Sequence, residues 1–234
     1  KKYKNVSCIL TNKNIGMGSG NNIGIAKTKS DFVLILNPDV LLFNDTIDRL
    51  IKTAKDLQNF AILSPISDNI NFPNFKVKEK KNINYEQIFE VDSVDGFSML
   101  INKSKINSIL KNEKNVKVFD ENFFMYLENN DLCRRVVNDG GSIFIVPKAK
   151  INHLGAGAVD PKFSREIELS RNWHWMWSTF NYNKKYKGFF ISFLIIFPKL
   201  SSALLKVLLY SLLFKKEKKK IYYQRLSGLI NAII

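Results

Sequence analysis

Cysteine and histidine are nearly absent, with two of each in 234 residues. Cys8 and Cys133 lie far apart and in no CxxC spacing, which excludes a disulfide framework and a thiolate zinc knuckle and makes a reducing, cytosolic setting the default. Six prolines and eleven glycines without a period exclude collagen-like and low-complexity classes, and 45% apolar residues suffice for a real core. The opening Lys1-Lys2-Tyr3 has no initiator methionine, apolar run or cleavage pattern, so no secretory leader is expected.

Acidic residues are scarce at one end only. The chain carries a net charge of +15, yet Asn181 to Ile234 holds eleven lysines and arginines against the single acid Glu217. That basic excess lies beside apolar helix rather than alternating with aromatics on a sheet, so nucleic acid is not the expected partner. Gly188 to Phe214 is almost wholly apolar but is broken by Pro198, Lys199 and Lys206, and the run Lys215 to Lys220 follows. No uninterrupted charge-free stretch approaches the roughly 20 residues of a spanning helix, and the pattern predicts an in-plane helix on an anionic membrane surface.

The rest alternates short apolar runs with helical periodicity, as in an α/β domain with a largely parallel sheet. Val6 to Leu10, Phe32 to Leu36, Phe60 to Ile66, Val91 to Ile101 and Ser142 to Val146 read as strands. Ile47, Leu50, Ile51, Ala54 and Leu57 recur at helical spacing behind a potential cap at Asn44. A second helix begins near Glu128 and stops at Gly140-Gly141, and Asp68 to Asn84 reads as a variable loop. The texture turns helical and aromatic near residue 160, which divides the chain into 1–160 and 161–234.

Four glycines fall within residues 16–24, matching neither a Walker loop nor GxGxxG. Such a stretch either brings backbone N–H groups to a phosphate or ribose, or simply makes a tight connection. Asn37-Pro38-Asp39 ends the FVLIL strand, where ligands of open α/β sheets collect; Asp39 is either a divalent-metal ligand or a turn residue. Glu128 and Asp131, three apart at a helix start, are either base and ligand or ordinary first-turn acids. His153 either completes a metal site with Asp39 or is structural, and His174 either packs or faces an interface.

In order, Asn14-Ile-Gly16-Met-Gly-Ser-Gly20-Asn21-Asn22-Ile-Gly24, Leu36-Asn37-Pro38-Asp39-Val40, Val91-Asp92 with Gly96, Phe119-Asp120-Glu121 through Phe123-Phe124-Met125-Tyr126, Glu128 to Arg135, and His153-Leu-Gly155 resemble the family 2 glycosyltransferases. The likeness is to their rhamnosyltransferase-like branch, and it covers roughly residues 5 to 180. It implies a GT-A fold, a dTDP- or UDP-sugar donor, Mg²⁺ or Mn²⁺, inversion at the anomeric carbon, and a glycan or polyprenyl-linked acceptor. The site would be the cytoplasmic face of the bacterial inner membrane, with peripheral attachment. Gly16, Gly20, Asn21, Asn22, Asn37 and Asp39 would bind donor, Asp39 and His153 the metal, and Asp95 and Gly96 the acceptor. Glu128 or Asp131 would be the base, Asn129 standing where many relatives carry Asp. Two strands that hold the nucleotide in relatives have no counterpart here, so the resemblance implies a GT-A domain without its N-terminal segment. The alternative expectation is a catalytically inactive, membrane-associated remnant.

Overall fold

The computed structural model describes residues 4–69, 71–77, 83–111, 117–155 and 160–234. The strand FVLIL forms as expected, β1 (Phe32–Leu36), and the turn at Pro38 leads to a short β2 (Val40–Leu42). Helix α2 (Thr46–Leu57) follows, but its cap is Asp45 rather than Asn44. The Asp45 carboxylate caps no backbone N–H and instead accepts from Arg49 Nε at 2.6 Å, one turn on. β3 (Ile62–Ser67) runs through the centre, and β4 (Phe75–Lys76) lies inside the expected loop, of which residues 70 and 78–82 fall outside the described set.

The single strand expected over 91–101 is three: β5 (Phe89–Val91), β6 (Ser93–Val94) and, after a turn at Asp95–Phe97, β7 (Ser98–Asn102). The break lets β6 pair with β4 while β7 enters the main sheet. α3 (Lys103–Leu110), α4 (Glu128–Asn138) and β8 (Ile143–His153) complete this part. β8 runs well past Val146 because Lys148 and Lys150 point to solvent while Ala149 and Ile151 stay buried, an alternation that Pro147 conceals in the sequence. Ahead of β1, α1 (Met17–Lys27) takes up the glycine-rich stretch, whereas residues 6–10 are exposed and form no strand.

The sheet order is β1-β7-β3-β8-β2, with β5 also on β8. The long strands β1, β3 and β8 share one direction, so the α/β class holds, but β7 lies antiparallel between β1 and β3, and only β3 and β8 pair directly in parallel. The sheet is therefore mixed: β5 and β7, reached from β3 with no helix between among the described residues, both run opposite to β3 and β8. Alternate residues feed two cores. Ile62, Ile101, Ile143 and Ile145 meet Ile106, Leu110, Leu132 and Val136 of α3 and α4, while Leu63, Leu100 and Val146 meet Leu50 and Ala54 of α2. Each such buried Ile, Leu or Val side chain contributes about 1.5–3 kcal/mol.

A turn at Pro161–Phe163 opens the helical part, α5 (Ser164–Leu212) and α6 (Lys216–Ile233). α5 is not one rod. Gly188, at φ 74°, ψ 171°, breaks it into 164–187 and 189–212. The second half turns back along the first, with Phe180 against Phe189, and α6 touches both halves. Arg165 reaches Glu217, Trp173 Nε1 donates to Ser227, and on the other side Lys206 meets Tyr222. Met176, Phe180, Ile196, Leu229 and Ala232 fill the centre of this three-helix cluster.

Candidate active site

The β2–β8 register sets Val40 opposite His153, which brings Asp39 beside the imidazole. Asp39 Oδ1 lies 3.5 Å from His153 Nε2, and the Leu154 amide donates to the Asp39 carbonyl at 3.0 Å. Phe97 stacks on the His153 ring at 4.1 Å and fixes its plane, while its carbonyl accepts from the Asn37 amide at 2.9 Å. Asp39 is almost buried and Asn37 half-buried at the carboxyl end of β1. Among the described residues no group of three His, Cys, Asp or Glu side chains gathers at one point. Two facing donors at the end of a strand suit Mg²⁺ or Mn²⁺, which commonly take few protein ligands and fill the remaining positions with phosphate oxygens and water.

The turn Asp95–Phe97 links this pair to a second group. Asp95 is exposed on this turn, yet partial desolvation of its carboxyl raises it above its ordinary value, with Lys76 and then His153 opposing the shift. Next to it, Gly96 is packed so closely on Asn129 that an added Cβ would lie 3.1 Å from the Asn129 Cβ and 3.2 Å from Met17 Cε. Met17 opens α1, and its amide donates to the Phe124 carbonyl at 3.2 Å. Gly16 adopts φ 85° there, and a side chain would collide with that same carbonyl oxygen. Gly18 faces Phe119 and the Cβ of Glu128. The first turn of α1, the Asp95–Phe97 turn and the first turn of α4 therefore meet.

The two acids of α4 have opposite surroundings. Glu128 is 5% exposed, and its Oε2 has no hydrogen-bond partner among the described residues. Burial raises its carboxyl above the ordinary value, against a smaller lowering from its own backbone N–H. Asp131 is wholly buried and fully engaged: Arg135 Nε donates at 2.8 Å, the Tyr186 hydroxyl at 2.7 Å, and Lys185 Nζ lies at 2.6 Å. Asn129 Nδ2 donates to the Val94 carbonyl at 2.9 Å, a bond that an ionised Asp at this position has no proton to make.

Helix α5 supports this segment from behind. Ser178 donates to the Met125 carbonyl at 2.7 Å, His174 stacks on Phe124 at 4.8 Å and Trp175 meets Tyr126 edge-on at 5.4 Å. Tyr126 and Leu127 are both held at positive φ, 70° and 68°, immediately before Glu128. Burial lowers the His174 pKa, disfavouring the charged ring in this stack. Cys133, entirely buried with its thiol pushed up to about 12 by burial, is inert core.

A family profile described as Glycosyl transferase family 2 matches residues 1–138. The chain belongs to glycosyl transferase family 2. Rhamnosyltransferase WbbL of Escherichia coli strain K12 is 27% identical over 195 residues, an alignment covering 71% of this chain and 69% of that protein. The α/β GT-A fold and glycosyl transfer as the class of chemistry follow from the family.

Of the residues expected from the sequence, the structure brings Asn37, Asp39 and His153 to the Asp95–Phe97 turn, which holds Asp95 and Gly96, while Gly16 and Glu128 lie at the adjoining starts of α1 and α4. It does not bring all of the glycine-rich stretch there. Asn22 donates to the Phe119 carbonyl and accepts from the Phe119 amide, both at 2.9 Å, so its side chain holds the 119–121 loop. Gly20 is exposed, with no described residue beyond its own helix within 4 Å of where a side chain would start, and Asn21 is half-buried on the same helix. Sequence reasoning missed Phe97, Arg135, Lys185 and Tyr186. Arg135 stands four residues from Asp131, a helical ion-pair spacing that was there to be read.

Proposed function

We propose that this chain transfers a sugar, with rhamnose the first to test, from a dTDP- or UDP-sugar to a hydroxyl of a glycan or polyprenyl-linked acceptor, with inversion. The observation that carries the reading is Glu128, a buried carboxylate with one unpartnered oxygen beside the start of α1. In a single displacement the acceptor oxygen bonds to the anomeric carbon, and the bond from that carbon to the phosphate oxygen breaks. The electron pair leaves with the nucleoside diphosphate, and the hydroxyl proton passes to Glu128. A desolvated carboxylate is more basic, which brings its pKa closer to the working pH. Asp131, held by three partners, anchors the first turn of α4, from which Glu128 meets the start of α1. Asp39 and His153 would hold Mg²⁺ or Mn²⁺, whose chemistry is to neutralise charge on the departing diphosphate.

Replacing Asp39 by Ala is expected to abolish Mn²⁺-dependent donor binding, followed by titration calorimetry with UDP and dTDP, and to abolish transfer. His153→Ala should weaken metal use less. Parental turnover in Asp39→Ala would overturn the metal assignment.

The helical part supports peripheral membrane attachment. By length and composition α5 contains a stretch apolar enough to cross a membrane. That stretch, however, is one leg of a three-helix cluster whose other leg, 164–187, carries Arg165, Glu168 and Lys185 and grips α4, so it cannot cross alone. Its outer face exposes Phe190, Leu194, Leu205, Leu212 and Phe214, and the lysines at the start of α6 adjoin it. Each lysine near anionic lipid adds about 1 kcal/mol. The chain should float with phosphatidylglycerol vesicles, and replacing Lys215, Lys216, Lys218, Lys219 and Lys220 by Gln should release it. Equal flotation with neutral phosphatidylcholine would remove the electrostatic part of the reading.

A further inference from the structure

A cavity of about 510 Å³ opens on the face of α4 next to the one that carries Glu128. Its floor is Leu127, Asn130 and Arg134, spaced i, i+3 and i+7 on the helix, one step around from Glu128 and Asp131. Tyr182 of α5 forms one wall, and Lys76 and Ser93 form another. Lys76 and Ser93 are direct partners across the β4–β6 ribbon. Val94 leads from Ser93 straight into the Asp95–Phe97 turn, so the chain runs directly from the cavity wall to Phe97, which stacks on His153.

The cavity is not a generic polar hollow. The Arg134 guanidinium lies 3.8 Å from the centre of the Tyr186 ring and 5.9 Å from that of Tyr182, which orients its donors in advance. An amide at Asn130 and a hydroxyl at Ser93 both donate and accept, the Arg134 and Lys76 cations donate, and Tyr182 offers an aromatic surface. A pyranose needs that combination: its C–H face lies on a ring while its hydroxyls, each donor and acceptor, bond to amide, hydroxyl and guanidinium. The volume falls within the range of about 300–1,000 Å³ typical of small-molecule sites.

The geometry points to this cavity as the subsite for a non-reacting sugar of the acceptor, the unit linked to the one whose hydroxyl attacks. This rests on the transferase reading above. Of the lining residues Leu127 directly precedes Glu128 and Ser93 lies two residues before Asp95, so the binding energy of a sugar held here would position the neighbouring unit for attack.

The test uses the full chain and saturation-transfer NMR with four methyl glycosides as probes: the glucoside, galactoside, N-acetylglucosaminide and rhamnoside. At least one should bind. Asn130→Ala and Tyr182→Ala should each weaken that binding by roughly tenfold, whereas Tyr182→Phe, which keeps the ring, should retain it. Because Tyr182 also packs beside Phe123 and Tyr186, the Asn130 variant carries the test if Tyr182→Ala unfolds. No binding of any of the four, or binding that is indifferent to both alanine variants, overturns the subsite. Mn²⁺-dependent binding of UDP or dTDP in the same samples reports separately on the donor site, so failure of the transferase reading shows there, apart from failure of the cavity.

Discussion

Glu128→Gln should lower kcat by roughly 10²- to 10⁴-fold while leaving donor affinity nearly unchanged, and should make the protein more stable at neutral pH. The two effects have one cause. Glu128 is buried, no donor reaches its Oε2 among the described residues, and desolvation raises its pKa in the folded chain. A carboxyl whose folded pKa lies above its unfolded value is penalised when ionised. Stability is therefore greatest below the unfolded pKa, falls as pH rises between the two values, and stays reduced above the folded one. Glutamine removes the charge and that penalty while keeping size and hydrogen bonding, an exchange of function for stability often seen at active sites. In the parent, kcat against pH should show an acid limb above the ordinary carboxylate range, and Glu128→Gln should flatten it. A variant that keeps parental kcat, or one that unfolds more readily at pH 7, would contradict the assignment.

The strand at FVLIL, helix α2 and the stop of α4 were legible because each rests on local chemistry: a continuous apolar run, helical spacing, and a glycine, Gly140, that takes φ 78° just past the helix end. The resemblance added Glu128 to the Asp39–His153 pair that the residues themselves offered, and the β2–β8 register shows how the chain brings those two together. What was not legible depends on distant partners. Nothing near Asp131 announces that Lys185 and Tyr186 close over it, since Tyr186 is 55 residues away. Asn129 looked like a decayed base, yet its amide is the donor that ties α4 to Val94 and so to the Asp95–Phe97 turn. Placing Asp at that position removes the donor and sets a carboxylate against a carbonyl oxygen, so Asn129→Asp is expected not to raise activity. Gly188 gave a local hint of a break, but only packing of Phe180 on Phe189 and of α6 on both halves reveals that the chain folds back.

Asp131→Ala should be the most destabilising single change in the site, costing about 3–5 kcal/mol. Its carboxylate is completely buried and is met by Arg135 Nε at 2.8 Å, Lys185 Nζ at 2.6 Å and the Tyr186 hydroxyl at 2.7 Å. Arg135 is itself only 6% exposed and also donates to the Val118 carbonyl, so it cannot move out to water when its anion is removed. The Tyr186 phenol is held neutral by burial and by the bond it donates to Asp131, and without that acceptor its proton is stranded. Breaking a buried pair by deleting one partner costs far more than the pair is worth, because the other charge stays behind. Urea unfolding of Asp131→Ala, Arg135→Met and the double variant measures the coupling of the two: the double should lose less stability than the sum of the two single losses. Because the same carboxylate joins α4 to α5, the loss should also increase proteolysis within 164–187. Asp131→Asn keeps the shape and two hydrogen bonds and should fall between. If Asp131→Asn instead unfolds like the parent while transfer collapses and Glu128→Gln stays active, Asp131 is the base and Glu128 the support.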